Sequence, residues 1–429
     1  MKPITSLFLV LCLLQLSGQH QRSISGVVYD QQTKQPLAFA TIGIPASPHG
    51  TVSNADGEFT FFVPDYLKDD TISISYVGFK RTSIPIQLLD DSPIHVYLQE
   101  SIIELEEIEV SGEQLTAKQI MEKALDRIKD NFQSDPFILK GFFRDIRDQN
   151  NKTVYLSEAA VDIRDPGVSV NKQLPKKFYL RGVRASDSRV NSLLRGSLLN
   201  SGNSLTVNLE HNYWLNRLRH SLATNEYTID QILSDADKQL YVVKTEQFSS
   251  KPDLAEKYKD MKYRLIHKYY VNAETFAILK VEHLEEPIEG KYVGIERPYI
   301  GDSLYYSKKG WNQLIEFEEY EGKLYLKYHD VSYAFDIVDE KNSQIHLDMA
   351  YQFTFIVTEV ISNKTIKPEG QKMNRNKPLT TQLEYEEDFW ADPINVKLVP
   401  LTEKQIQDLE SEKTLSRQFR TKKQRIKKS

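Results

Sequence analysis

The sequence predicts a mainly β protein, with a small antiparallel sandwich first and a larger antiparallel sheet packed by one or two helices after it. Three observations predict this. Residues 23–79 alternate with a period of two: Ile72, Ile74 and Tyr76 share one face, and Thr71, Ser73 and Ser75 share the other. That is the pattern of a half-buried strand. From Phe137 to about Leu398 one strand-like run follows another, and the strongest is Ile345, Leu347, Met349, Tyr351, Phe353, Phe355 and Val357. Between the two regions, Thr116-Ala117-Lys118-Gln119 reads as a capping box. It opens an amphipathic helix with Ile120, Ala124 and Ile128 on one stripe, ending before Pro136.

Length and composition set the frame. The chain has 429 residues, enough for two or three domains. Its net charge of −5 is too small to argue for nucleic acid, and its 23 Tyr and 19 Phe fit a β-rich chain. Residues 1–19 carry Lys2, an apolar run from Leu7 to Leu16, then Ser17 and Gly18. This predicts a secretory signal peptide cleaved near Gly18 or Gln19. Cys12, the one cysteine, lies inside the apolar run, and Leu11 stands where a lipoprotein signal needs a small residue. The mature chain is therefore expected to have no disulfide, thiolate metal site or cysteine nucleophile. The expected order is signal peptide 1–19, sandwich 20–100, linker and amphipathic helix 101–135, antiparallel β-rich domain 136–400, and C-terminal helix with basic tail 401–429.

Within the sandwich, Phe59, Phe61 and Val63 alternate, and Asp56-Gly57 between Thr51-Val52 and Phe59 predicts a hairpin turn. Pro36 and Pro64 mark strand boundaries. Gly26-Val27-Val28-Tyr29-Asp30, the Pro36–Ala40 run, Asn54–Phe59 and Ser75-Tyr76-Val77-Gly78-Phe79 together resemble the carboxypeptidase regulatory-like domain. That resemblance implies a seven-stranded prealbumin-like sandwich, accessory in role and without catalytic residues. In Gram-negative envelopes such modules often precede TonB-dependent receptors, and Leu105–Gly112 resembles the junction into a receptor plug. A receptor barrel is disfavoured, because the roughly 290 residues after the helix cannot supply its strands.

The body follows. The partners of the Ile345–Val357 stripe are His346, Asp348, Gln352, Thr354 and Thr358, which predicts one dry and one wet face. Glu321-Gly322-Lys323 predicts a hairpin before Leu324, Leu326 and Tyr328. Tyr269–Val271 and Ala277–Val281 are expected to pair across Asn272–Phe276. Residues 186–222, with Leu193, Leu194, Leu198, Leu199, Trp214, Leu215 and Leu218, break the rhythm and read as a helical or loop insertion. A sheet with one dry face and a helix against it resembles the curved half-barrel of lipoprotein carriers, and the Tyr270–Val281 hairpin is similar to one in that group. Gly141–Arg144 and Phe389-Trp390 also resemble exported proteins that join such an N-terminal module to an uncharacterised β-rich body. A helix of about 20 Å cannot cover a strand of about 43 Å. The insertion, the helix opened by the second capping box at Thr402–Gln405, or a ligand must cover the rest of the dry face. The tail ends in Lys422, Lys423, Arg425, Lys427 and Lys428. It is expected to be solvated, with acidic lipid or lipopolysaccharide phosphate as its candidate contact.

Candidate chemistry is thin. His283-x-x-Glu286 has the spacing of two zinc ligands, but on a strand these positions point to opposite faces. Glu316, Glu318, Glu319 and Glu321 could pair as glycosidase carboxylates, but they read as a solvated strand face. Arg181, Arg184, Arg189 and Arg195 with Asp187 could bind an anion, but they read as a loop with surface ion pairs. No catalytic, cofactor or metal residue is assigned. The expectation is a non-enzymatic envelope binding or assembly protein of the periplasm or outer membrane. Its partner would be an envelope protein or a hydrophobic or glycan ligand, with peripheral outer-membrane contact through the basic tail. A periplasmic lipid or lipoprotein carrier is the alternative, and a hydrolase of unknown class the second.

Overall fold

The computed structural model describes residues 22–45, 50–63, 65–103, 115–169, 175–190, 205, 209, 213–235, 238–250, 262–288, 294–296, 304–339, 345–363, 365–392 and 399–426. The expected signal segment, the Leu105–Gly112 junction, Leu193–Leu199, Arg195 and the side chains of the basic tail lie outside the described residues.

Seven strands build the N-terminal sandwich: β1 (Arg22–Asp30), β2 (Thr41–Gly43), β3 (Gly50–Val52), β4 (Glu58–Val63), β5 (Thr71–Ser75), β6 (Thr82–Pro85) and β7 (Ile94–Leu98). One sheet runs β4-β1-β7 and the other β3-β2-β5-β6. Ile24, Val28, Ile42, Phe59, Phe61, Ile72 and Ile74 fill the space between them. The Asn54–Gly57 turn corrects one expectation. It forms, with Asn54 Oδ1 accepting from the Asp56 and Glu58 amides. However, β3 pairs with β2 and β4 with β1, so the turn carries the chain from one sheet to the other rather than closing a hairpin. Gly57 sits at φ +76°, and a Cβ there would lie 2.6 Å from the Val28 carbonyl oxygen.

Among the described residues the body is one antiparallel sheet of thirteen strands. Its strands are β8 (Ile102–Ile103), β9 (Phe137–Gln149), β10 (Lys152–Asp165), β11 (Lys177–Ala185), β12 (Thr228–Asp235), β13 (Lys238–Ser250), β14 (Lys262–Asn272), β15 (Ile278–Pro287), β16 (Gly294–Glu296), β17 (Leu304–Tyr320), β18 (Lys323–Asp339), β19 (Ile345–Ile361) and β20 (Gln371–Lys372). The order is β20-β11-β10-β9-β19-β18-β17-β15-β14-β13-β12-β8, with β16 beside β17. Each edge ends in a two-residue strand, which pairs with Tyr179 and Leu180 of β11 at one side and with Ile232 and Leu233 of β12 at the other. One of them, β8, follows the sandwich directly and pairs with β12. Both expected hairpins form. Glu321 (φ +51°) and Gly322 (φ +72°) make the two-residue turn between β17 and β18. Asn272 Oδ1 accepts from the Glu274 and Thr275 amides between β14 and β15.

Helices lie on the inner face of this sheet. α1 (Ala117–Asp126) starts with both capping-box bonds, from Gln119 N to Thr116 Oγ1 and from Thr116 N to Gln119 Oε1. It buries Ile120, Met121 and Ala124, and the short α2 (Ile128–Asn131) continues its line. α3 (Tyr213–Thr224), part of the expected insertion, adds Trp214, Leu215 and Leu218 to the same layer. Leu205 and Leu209 pack on the other half of this face, beside the Met349–Phe355 stripe.

The outer face departs from the expected wet surface. Along β9 and β10 both faces are buried. The sandwich lies on the middle of the outer face, where Val52 joins Tyr328, Ile356 and Val399. The C-terminal segment covers the β9–β11 end. Its helices are α4 (Glu387–Ala391), α5 (Glu403–Leu409) and α6 (Leu415–Ile426), and Leu409 and Phe419 meet Ile146 and Leu156. The C-terminal helices therefore cover the face opposite the one they were candidates to cover.

Candidate functional site

Strand register puts a polar row into the otherwise apolar inner face. His267 on β14 stands opposite His283 on β15, which stands opposite Gln313 on β17, and His329 on β18 faces Ile315 one step along. Side chains two residues apart on one strand share a face, so Val281, His283 and Glu285 point inward while Glu282 and Glu286 point outward. His283 and Glu286 are thus split between faces, and no group of three metal-ligating side chains occurs among the described residues.

Hydrogen bonding fixes much of the row. Gln313 Nε2 lies 2.8 Å from His329 Nε2. An amide nitrogen only donates, so His329 Nε2 is the bare acceptor and the neutral ring carries its proton on Nδ1. The Gln313 carbonyl accepts from Arg217 Nη1 of α3 at 3.3 Å. His283 Nδ1 and His267 Nε2 are 2.7 Å apart, so one donates and the other accepts. That leaves His267 Nδ1 and His283 Nε2 buried without a partner among the described residues, one as an N–H and the other as a bare nitrogen. Trp311 organises the end of the row, with its ring 4.5 Å from that of His283 and 4.4 Å from the Arg217 guanidinium.

Electrostatics keep these imidazoles neutral. Burial pushes His329 down to about 3, helped by Lys176 and Arg217. It pushes His267 to about 4, with Arg217 adding to the effect. His283 falls to about 2 through burial, then His267, Arg217 and Lys308. Arg217 is itself lowered by burial, against the pull of Glu285.

Beside the row is a cavity of about 40 Å³. Gln313, His329 and the Lys176–Asp165 ion pair, 3.0 Å apart, line its polar end, and Phe132, Trp214, Phe317 and Leu324 its apolar wall. This is room for roughly three waters. A second cavity, also about 40 Å³, lies between the sandwich and the outer face at Phe39, Val52, Phe142 and Ile356. A shallower hollow of about 380 Å³ has mostly polar or small walls, including Asp148, Lys309, Asn312, Ser332 and Gln405.

The other sequence candidates fall elsewhere, and two readings are corrected. Arg181 and Arg184 are on a strand, β11, not in a loop. Arg181 pairs with Asp162 at 2.8 Å, and Arg184 and Arg144 both bind the fully buried Glu158, each at 2.6 Å. Arg189 caps the Asp408 carbonyl and reaches Ser411, whereas Asp187 pairs with Lys413. Glu316 is buried rather than solvated, because the sandwich covers it. Desolvation raises its pKa against Lys280 and Lys327. Lys280 lies opposite Glu316 and under the Tyr76 ring of the sandwich. Glu318 does stay exposed, paired with Lys327. The histidine row itself escaped sequence reading. Its only signal was a histidine at inward positions of two strands joined by a hairpin, which needs the register to be meaningful.

No curated protein matches the chain. Among solved structures, one of lipovitellin, concerned with its lipid–protein interactions, aligns with 56% of this chain at 10% identity and a TM-score of 0.23. The alignment spans 27% of the lipovitellin chain. A putative membrane-associated protein of unknown function from Bacteroides fragilis NCTC 9343 aligns over 80% of this chain and 99% of its own, at 11% identity and a TM-score of 0.15. Neither score supports an argument about fold or function. Residues 24–110 match the family model of the CarboxypepD_reg-like domain. The N-terminal seven-stranded sandwich, with the linker strand that follows it, is thus a carboxypeptidase regulatory-like domain set in front of a large antiparallel sheet.

Proposed function

We propose that the protein is a non-enzymatic binding or assembly protein of the cell envelope, exported by its N-terminal segment, with the two domains presenting one joint surface to a partner. The observation that carries this reading is the filling of the inner face. Three helices and Leu205 and Leu209 pack against it, and the cavity among the described residues there holds about 40 Å³. A site for a drug-sized ligand needs about 300 Å³ or more, so a packed scaffold fits better than an acyl-chain carrier. The sandwich on the outer face supports the same reading, since the space left between it and the sheet at Phe39 and Ile356 is only about 40 Å³.

The test combines fractionation with lipid binding. Expressed in a Gram-negative host, the chain is expected in the envelope fraction with a new N-terminus near Gly18 or Gln19. The purified protein is expected to show no saturable binding of a fluorescent fatty acid. An intact Met1 in the cytoplasm would end the envelope reading, whereas saturable fatty-acid binding would favour the carrier.

A further inference from the structure

We infer that the hollow on the outer face of the large sheet, lined by β9, β17, β18, β19 and α5, is a binding site for a neutral carbohydrate of one or two sugar rings. This goes beyond the envelope reading and does not depend on it, because the site needs only the fold of the sheet and the C-terminal segment.

The hollow holds about 380 Å³, within the roughly 300–1,000 Å³ of small-molecule sites. Strand register sets its floor. Gly310, Ala334 and Ala350 stand opposite one another on β17, β18 and β19, so nothing longer than a methyl group rises from that row. A Cβ at Gly310 would meet only the Glu285 carbonyl, at 3.4 Å. The walls are taller. Asn312, Ser332 and Gln352 form the next row on the same face. On the other side, the bulge between Lys308 and Gly310 brings Lys309 to this face, where it bridges Asp336 and Asp348 at 3.0 and 2.7 Å. Asp148 of β9 closes the floor opposite Ala350, and Gln405 of α5 completes the lining.

The hydrogen-bonding groups decide the class of ligand. They are side chains, because β9, β17, β18 and β19 each have a neighbour on both sides and their backbone groups belong to the ladders. Asp148 is an acceptor. Its Oδ1 is buried and has no partner among the described residues, a costly state for a carboxylate oxygen that a hydroxyl donor relieves. Gln352 gives its Nε2 to Asp330, which leaves its carbonyl to accept. Gln405 gives its Oε1 to the Thr402 amide, which leaves its Nε2 to donate. The Asn312 amide and the Ser332 hydroxyl can each do both. Vicinal hydroxyls, every one a donor and an acceptor, match this interleaved set, and the Gly310–Ala334–Ala350 floor suits the C–H face of a sugar ring. An anion would meet Asp148, since Lys309 is already matched by two acids. An acyl chain would meet polar walls. A peptide would find neither a free strand edge nor an apolar pocket for its side chains.

The experiment is saturation-transfer NMR of the purified full chain with maltose, lactose and N,N′-diacetylchitobiose, and separately with tri-alanine, each then titrated by calorimetry. At least one of the disaccharides is expected to bind saturably at millimolar concentration. Ala334→Leu, which fills the floor and removes no hydrogen bond, is expected to weaken that binding about tenfold or more, and Asp148→Asn several-fold. Glu318→Gln, exposed near the other end of β17, is expected to leave it unchanged. Asn312 is exposed, so Asn312→Ala is expected to weaken binding with an unchanged melting curve, and it decides the matter should the other two variants unfold. Absence of binding by all three sugars at tens of millimolar, or parental affinity in the folded hollow variants, overturns the site. Binding of tri-alanine but of no sugar, lost in Ala334→Leu, overturns the assignment to carbohydrate.

Discussion

Phe39 of the sandwich lies against Tyr328 of the large sheet, with ring centroids 5.2 Å apart and planes tilted by 33°. Phe39 holds a positive φ of 65°, an uncommon conformation for a residue of its size. The contact explains why it is held there. Tyr328 is fully buried at the centre of an outer-face row that runs Tyr270, Lys280, Glu316, Tyr328, Ile356, Phe142 across β14, β15, β17, β18, β19 and β9. The sandwich covers that row from Tyr76 to Phe39.

Phe39→Ala is therefore expected to loosen domain docking more than it unfolds either domain. The ring is partly buried, so the loss is about 1–2 kcal/mol. In scanning calorimetry the parent is expected to melt in one transition, and the variant's transition to broaden or split into two. A variant that melts as one unchanged transition would mean that this contact does not couple the domains.

The outer row next to it carries charge. Thr354, Arg144, Glu158 and Arg184 stand opposite one another in register across β19, β9, β10 and β11. Burial pushes the Glu158 pKa up, but Arg184 and Arg144 outweigh it and hold the carboxyl below its ordinary value. Arg184 is further held between the rings of Trp390 and Phe419, 4.3 and 4.9 Å away. Glu158→Gln leaves the buried Arg144 and the half-buried Arg184 without a counter-charge and is expected to cost about 3–5 kcal/mol. Denaturant unfolding measures this, and a loss below about 1 kcal/mol would show that water or rearrangement compensates the pair.

What could be read from the sequence follows the range of the interactions. The Thr116 and Thr402 capping boxes, the Glu321-Gly322 turn, the Asn272 turn and the period-two strands are set by residues a few positions apart, and all appear. The Glu158 triad depends on strand register, and Arg217 reaches Gln313 across 96 positions of sequence. No local pattern encodes such pairings. Glu316 shows the limit most sharply. Its alternation predicts an outward side chain, which is correct, but outward means solvent only if nothing docks there. The sandwich does, and a residue expected to be solvated becomes buried beside Lys280.

Asp330, also on the outer face, gives a prediction of stabilisation. It accepts hydrogen bonds from Thr354 Oγ1 at 2.7 Å and Gln352 Nε2 at 3.1 Å. Burial still dominates and pushes its pKa up to about 6 from 3.8. An acid raised on folding favours the folded state at low pH, and that advantage is lost as pH rises through 6. At pH 8 its ionisation is a burden. Asp330→Asn keeps an acceptor for both donors without the charge, and is expected to gain roughly 1–2 kcal/mol at pH 8 and little at pH 4. A variant that is no more stable at pH 8 would indicate that Asp330 ionises without penalty.

The three inner-face histidines work in the opposite direction and should set the acid limit. Each is a base whose folded pKa lies below the ordinary 6.5: about 4 for His267, about 2 for His283 and about 3 for His329. Between 6.5 and those values the unfolded chain binds protons that the folded chain refuses, so stability falls as pH falls. The slope is about 1.4 kcal/mol per pH unit for each histidine fully in that window. Asp330 opposes this between about 6 and 3.8, but with one proton against up to three. The parent protein is therefore expected to lose stability steadily below pH 6.5. Asp330→Asn, which removes the opposing proton, should steepen that loss. His329→Gln, which cannot be protonated and can still meet Gln313, should shallow it by about one proton. Urea unfolding at half-unit steps from pH 7.5 to 4.5 yields all three slopes. A parent curve that is flat across that range would show that the imidazoles are open to protonation in the folded state, and the neutral inner-face row would have to be abandoned.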